Sequence, residues 1–71
     1  MRVYIFVWEK KDWSLCKGYV TSPIKAEQVR DVLCKSEEVN WFEEFSVGGY
    51  IFELSGIKNI ELKGGEIVVK R

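Results

Sequence analysis

Apolar residues along this chain come in short runs separated by charged clusters, and their spacing alternates between the period of a strand and that of a helix. Residues 2–8 are the first run, apolar from Val3 to Trp8, and they end in the charged cluster Glu9, Lys10, Lys11 and Asp12. β-Branched and aromatic side chains pack well on a pleated surface, so this run predicts a strand that is apolar on both faces and therefore central. Val3, Ile5 and Val7 point one way, and Tyr4, Phe6 and Trp8 the other. Residues 13–21 predict its hairpin partner, with Trp13, Leu15, Lys17 and Tyr19 on one face and Ser14, Cys16, Gly18 and Val20 on the other. Small side chains let a helix approach closely. The expectation is that Val3, Ile5 and Val7 share the helix-covered face with Cys16, Gly18 and Val20.

Ser22 and Pro23 predict a helix start, because the serine can cap free backbone N–H groups and proline at the first helical position loses no hydrogen bond. Ala26, Val29, Val32 and Leu33 follow at helical spacing, with Lys25, Gln28, Arg30, Asp31 and Lys35 turned outward. Residues 37–45 fit either period. As a helix capped by Ser36 they gather Trp41, Phe42 and Phe45 on one side, with Gly48 as a stop signal. As a strand, their alternation fails at Trp41 and Phe42 and again at Glu43 and Glu44, so a second short helix is the preferred expectation. Residues 50–54 predict a strand with Tyr50, Phe52 and Leu54 on one face. Residues 59–63 and 66–70 predict a closing hairpin about Gly64 and Gly65, since glycine supplies the positive φ angles of a tight turn.

These elements define the expected fold class: one α+β domain over residues 1–71, a small antiparallel sheet of four to five strands with one amphipathic helix packed on one face. The expected order is β-β-α-(short α)-β-β-β. Composition supports a folded chain, because 46% hydrophobic and 14% aromatic residues supply the apolar mass that disordered segments lack. A chain of 71 residues has little interior, however, and ten large rings compete for it. Some of them are expected at the surface.

Charge changes the picture in a second way. The net charge is zero, with 11 basic and 11 acidic side chains, so no global field draws the protein to nucleic acid or to an anionic membrane. In residues 1–25 Arg2, Lys10, Lys11, Lys17 and Lys25 outnumber Glu9 and Asp12, whereas Glu27, Asp31, Glu37, Glu38, Glu43 and Glu44 make the middle acidic. The opening apolar run leads into charge rather than into a small-residue cleavage site, and no stretch approaches the ~20 apolar residues of a membrane-spanning helix. A cytoplasmic protein with no membrane attachment is expected. The bias toward Lys, Glu, Val and Ile is shared by proteins from hot environments and by those of many AT-rich genomes and viruses, and only the first origin favours a cytosolic disulfide between Cys16 and Cys34. The simpler reading makes both cysteines small buried hydrophobes.

Candidate chemistry is sparse. Histidine is absent, so the commonest general acid–base group is missing and a Cys/His metal site has no ligand set. No catalytic residue, metal or small-molecule cofactor is expected, and an enzyme built on a reactive Cys16 or Cys34 ranks third among the readings. The aromatic residues carry the preferred one. If the helix covers Val3, Ile5 and Val7, then Tyr4, Phe6, Trp8, Trp13, Lys17, Tyr19, Tyr50 and Phe52 share the opposite face as a partner-binding platform. Alternatively, Trp41, Phe42 and Phe45 fold across and cover it. The expected function is a non-catalytic protein-interaction module, such as a small inhibitor or accessory protein, engaging a protein partner or a second copy through this face or through the acidic helical surface. The second reading is a single-stranded nucleic-acid-binding protein that uses the rings and the basic residues Arg2, Lys10, Lys11 and Lys17 of the first hairpin.

Overall fold

A computed structural model of the chain describes residues 2–48 and 57–69. The elements run β1 (Arg2–Lys10), β2 (Leu15–Val20), α1 (Pro23–Lys35), β3 (Val39–Gly48), β4 (Lys58–Lys63) and β5 (Glu66–Val69). They form a small α+β domain with a five-stranded sheet in the order β3-β1-β2-β4-β5 and one helix. The sheet is mixed rather than antiparallel throughout, because β2 and β4 pair in parallel at Gly18–Lys58 and Tyr19–Asn59. The strand expected at residues 50–54 lies outside the described residues.

The first hairpin sets the arrangement of everything else. Lys10 N–H donates to the Ser14 carbonyl and Trp13 N–H to the Lys10 carbonyl, both at 2.9 Å, so the loop consists of Lys11, Asp12 and Trp13. With that loop length, Tyr4 faces Val20, Phe6 faces Gly18 and Trp8 faces Cys16. Directly opposed residues share a sheet face. The rings Tyr4, Phe6 and Trp8 therefore lie on the same side as the small residues, and that side is the one the helix covers. The expected pairing of Val3, Ile5 and Val7 with the small face is corrected by this register. Large side chains fill the space that their small neighbours leave, which is how facing positions interdigitate in a dense core.

Helix α1 starts as its sequence predicts. Ser22 is its N-cap, accepting from the Lys25 N–H at 3.4 Å through its hydroxyl, and Pro23 occupies the first turn. Ala26, Val29 and Leu33 pack on Phe6, Trp8, Val20 and Ile60 to form the main core. Gly18 is required at its position: a Cβ built there collides with Ile60 Cγ1 and comes within 3.1 Å of the Lys58 carbonyl oxygen. The parallel junction of β2 with β4 thus depends on one glycine. At the far edge, Gly64 and Gly65 have φ of +58° and +80° and close the β4–β5 hairpin with the two positive values that a two-residue turn demands.

Residues 37–45 correct the sequence expectation. They are not a second helix, because β3 begins at Val39 and pairs antiparallel with β1 over its whole length. A register shift opposite Glu9 and Lys10 leaves Asn40 as an additional residue, whose side-chain amide donates to Glu9 Oε1 at 2.9 Å and to the Lys10 carbonyl at 3.1 Å. Beyond this bulge the alternation is regular. Phe42, Glu44 and Ser46 face the helix side, opposite Trp8, Phe6 and Tyr4, while Trp41, Glu43, Phe45 and Val47 face the other. Two adjacent rings fit because both faces of this strand carry aromatic residues. Two adjacent glutamates fit because Glu44 reaches the helix, where Arg30 Nε and Nη2 hold its two carboxylate oxygens at 2.6 and 2.8 Å.

Candidate interaction surface

The sheet face away from the helix, here the back face, carries Val3, Ile5, Val7 and Glu9 from β1 together with Leu15, Lys17 and Tyr19 from β2. β3 adds Trp41, Glu43, Phe45 and Val47. Its residues align in rows across β3, β1 and β2: Phe45, Ile5 and Tyr19; then Glu43, Val7 and Lys17; then Trp41, Glu9 and Leu15. Val3 and Ile5 are buried. Toward the first hairpin the face opens, and Leu15 is 63% and Trp41 42% exposed, with Phe45 at 48% two rows away. Leu15 and Trp41 stand two strands apart, about 10 Å.

Trp13 belongs to this end. It lies in the hairpin turn rather than in β2, is 77% exposed, and adopts a φ of +71°. A three-residue hairpin loop ends in a left-handed residue, and glycine is the residue that takes that conformation without strain. The neighbouring Asp12 fixes the turn, because its Oδ1 accepts from the Ser14 hydroxyl at 2.5 Å and from the Ser14 N–H at 3.0 Å. These bonds, the hydroxyl first and the backbone second, hold the Asp12 carboxyl below its ordinary value of 3.8. The turn therefore presents a large ring to solvent from a backbone conformation that favours no side chain at all.

The platform expected from sequence is divided by the sheet. Phe6 and Trp8 are buried at 0% and 5% exposure, and Tyr4 packs half-buried beside them under the helix. Trp13, Lys17 and Tyr19 are placed at the back face or its hairpin end, where they are joined by Leu15, Trp41 and Phe45. Tyr50 and Phe52 lie outside the described residues. The alternative, in which Trp41, Phe42 and Phe45 fold across the platform, is divided as well: Phe42 packs against the core on the helix side, while Trp41 and Phe45 form part of the exposed face. The signals that place them are the length of the Lys11–Asp12–Trp13 loop and the bulge at Asn40, neither of which shows in residue periodicity.

The acidic residues are likewise dispersed, and four of the six lie outside the helix. Glu27 and Asp31 are on α1, with Asp31 bound to Lys35 at 3.1 Å. Glu37 and Glu38 precede β3, and Glu43 and Glu44 project to opposite faces of it. Arg30 is held further above its ordinary value by the hydrogen bonds and charge of Glu44. Cys16 is half-buried at the margin of the core and Cys34 is exposed on the helix; both thiols are free, and the expected burial of Cys34 is corrected. A groove of about 550 Å³ between the end of α1 and the β4–β5 turn has Trp8, Leu33 and Ile67 in its walls and charges of both signs on its rim.

The fold and the exposed face together define a small α+β domain with one covered and one partly open sheet face. Compared with known proteins, the chain matches no family model, no curated protein and no solved structure. Among the described residues no helix is long and apolar enough to cross a membrane.

Proposed function

We propose that the chain is a non-catalytic protein-interaction module whose partner docks on the hairpin end of the back face, at Trp13, Leu15 and Trp41. The observation that carries this reading is the placement of Trp13. Holding an exposed tryptophan in a left-handed turn costs stability that a glycine would restore, and such strain concentrates where a side chain has work to do outside the core. Tryptophan is also the residue most enriched among the dominant contacts of protein interfaces. A protein fits this surface better than single-stranded nucleic acid, because Glu9 and Glu43 on the same face offset Lys17 and weaken any attraction for phosphates. A small inhibitor or accessory protein acts in this manner, by occupying a surface of a larger partner.

The test compares wild type with a Trp13→Ser/Trp41→Ser variant as immobilised bait in an extract of the source cells, followed by reconstitution with the purified captured protein. The expected result is a direct complex that the double variant weakens at least about tenfold, as loss of two central aromatic contacts does. Identical capture by both baits would overturn the reading. Light scattering over a dilution series addresses the second copy as partner: a monomer is expected, and a dimer that the double variant dissolves would replace the foreign partner with another copy of this chain.

A further inference from the structure

Among the described residues, no strand pairs with the outer side of β3. β3 stands at one edge of the sheet and is its longest strand, ten residues against four for β5 at the opposite edge. Every second residue of an edge strand turns its N–H and C=O away from the sheet, which makes the edge a template for another strand. Natural edges are blunted by shortness, by lysine or proline, or by a bulge. β5 uses the first of these devices. β3 contains no lysine, arginine or proline, and its bulge lies at Asn40 near its start, so Trp41 to Gly48 runs in unbroken register with β1.

We propose that this edge is a strand-addition site for an extended segment of a partner protein that carries lysine or arginine at alternate positions. The proposal deepens the reading of the chain as an interaction module and rests on it. Charge selects the occupant. β3 and the turn before it contain Glu37, Glu38, Glu43 and Glu44 and no basic residue, and Glu43 has no ion-pair partner among the described residues. An added strand places its side chains opposite those of β3, about 5 Å away, so a cation opposite Glu43 is favoured and an anion disfavoured. The same rule opposes a second copy. In antiparallel pairing of two β3 strands about a two-fold axis, registers centred on the strand set Glu43 or Glu44 against its own counterpart. With its cations on the back face beside Trp41, Glu43 and Phe45, the incoming strand places its apolar positions on the helix side, opposite Phe42, Glu44 and Ser46.

Amide hydrogen exchange and chemical-shift titration of the isotopically labelled protein test this directly. The probes are two peptides of about ten residues that alternate valine with lysine or valine with glutamate, together with the lysine peptide N-methylated at alternate residues. The lysine peptide is expected to bind saturably and to slow exchange of the outward N–H groups of β3 more than tenfold, while the other two leave them unchanged. Glu43→Lys is expected to reverse the preference of the charged peptides. Equal binding of both charges, retention of the N-methylated peptide, or shifts confined to the helix would overturn strand addition. Exchange protection at β3 that grows with protein concentration alone would assign the edge to a second copy, and that too would overturn it. Trp13→Ser leaves the β3 edge intact, so loss of partner capture in that variant with unchanged peptide binding separates the two proposals.

Discussion

Trp13 concentrates the tension between stability and exposure in one residue. A left-handed conformation costs an ordinary L-residue about 1–2 kcal/mol, whereas glycine adopts it freely but loses about 0.5–1 kcal/mol more backbone freedom on folding. Because the ring is 77% exposed, little packing is lost with it. Trp13→Gly is therefore expected to raise stability by up to about 1 kcal/mol, a gain of ~4–8 °C in melting temperature for a domain of this size, while it weakens partner binding. A melting temperature lowered by several degrees would show that the ring supports the fold instead. Asp12 gives this turn a pH dependence. Its carboxyl is held below 3.8 by Ser14, so its contribution is complete above the unfolded value and is lost as pH falls through the lower folded value. Chemical denaturation of wild type and Asp12→Asn should show a difference at neutral pH that closes in the acid range.

Among the elements, α1 and the two hairpins follow from local signals, and β3 does not. Ser22 and Pro23 announce the helix, and Gly64 with Gly65 announces the second turn, because each feature acts on its own backbone. The fate of residues 37–45 depends instead on what lies on either side of the strand: Phe42 has Trp8 opposite it, Glu44 has Arg30 above it, and Trp41 has solvent. A pattern polar and apolar on both faces has no clean period of its own. The face of β1 that meets the helix was illegible for a related reason, since a run apolar on both sides fits either orientation and the hairpin loop decides between them. The parallel junction of β2 and β4 is more sharply specified. Gly18→Val must displace Ile60 and the Lys58 backbone, with a cost of roughly 1–3 kcal/mol and faster amide exchange across β4 and β5. At the other side, Arg30→Ala unties α1 from β3, so exchange at Phe42 to Ser46 should accelerate, and added salt should produce the same trend in wild type.

At the scale of the whole molecule, a 71-residue chain has room to bury only part of its aromatic side chains, and the register chooses which. Phe6 and Trp8 go under the helix; Trp13, Trp41 and Phe45 remain outside the core. Total stability for a domain of this size is about 4–10 kcal/mol, so Phe6→Ala, at roughly 3–5 kcal/mol, should remove much of it, whereas Trp41→Ser should change it far less. The sequence announced that rings would be in excess but not which ones, and the binding surface follows from that choice. Solvent accessibility of the three tryptophans is therefore the decisive measurement. In a 5-fluorotryptophan-labelled protein, with resonances assigned by single Trp→Phe substitutions, the solvent isotope shift should be largest for Trp13, intermediate for Trp41 and near zero for Trp8. A shielded Trp13 with an accessible Trp8 would mean that the other face of β1 meets the helix, and it would contradict both the fold register and the interaction surface built on it.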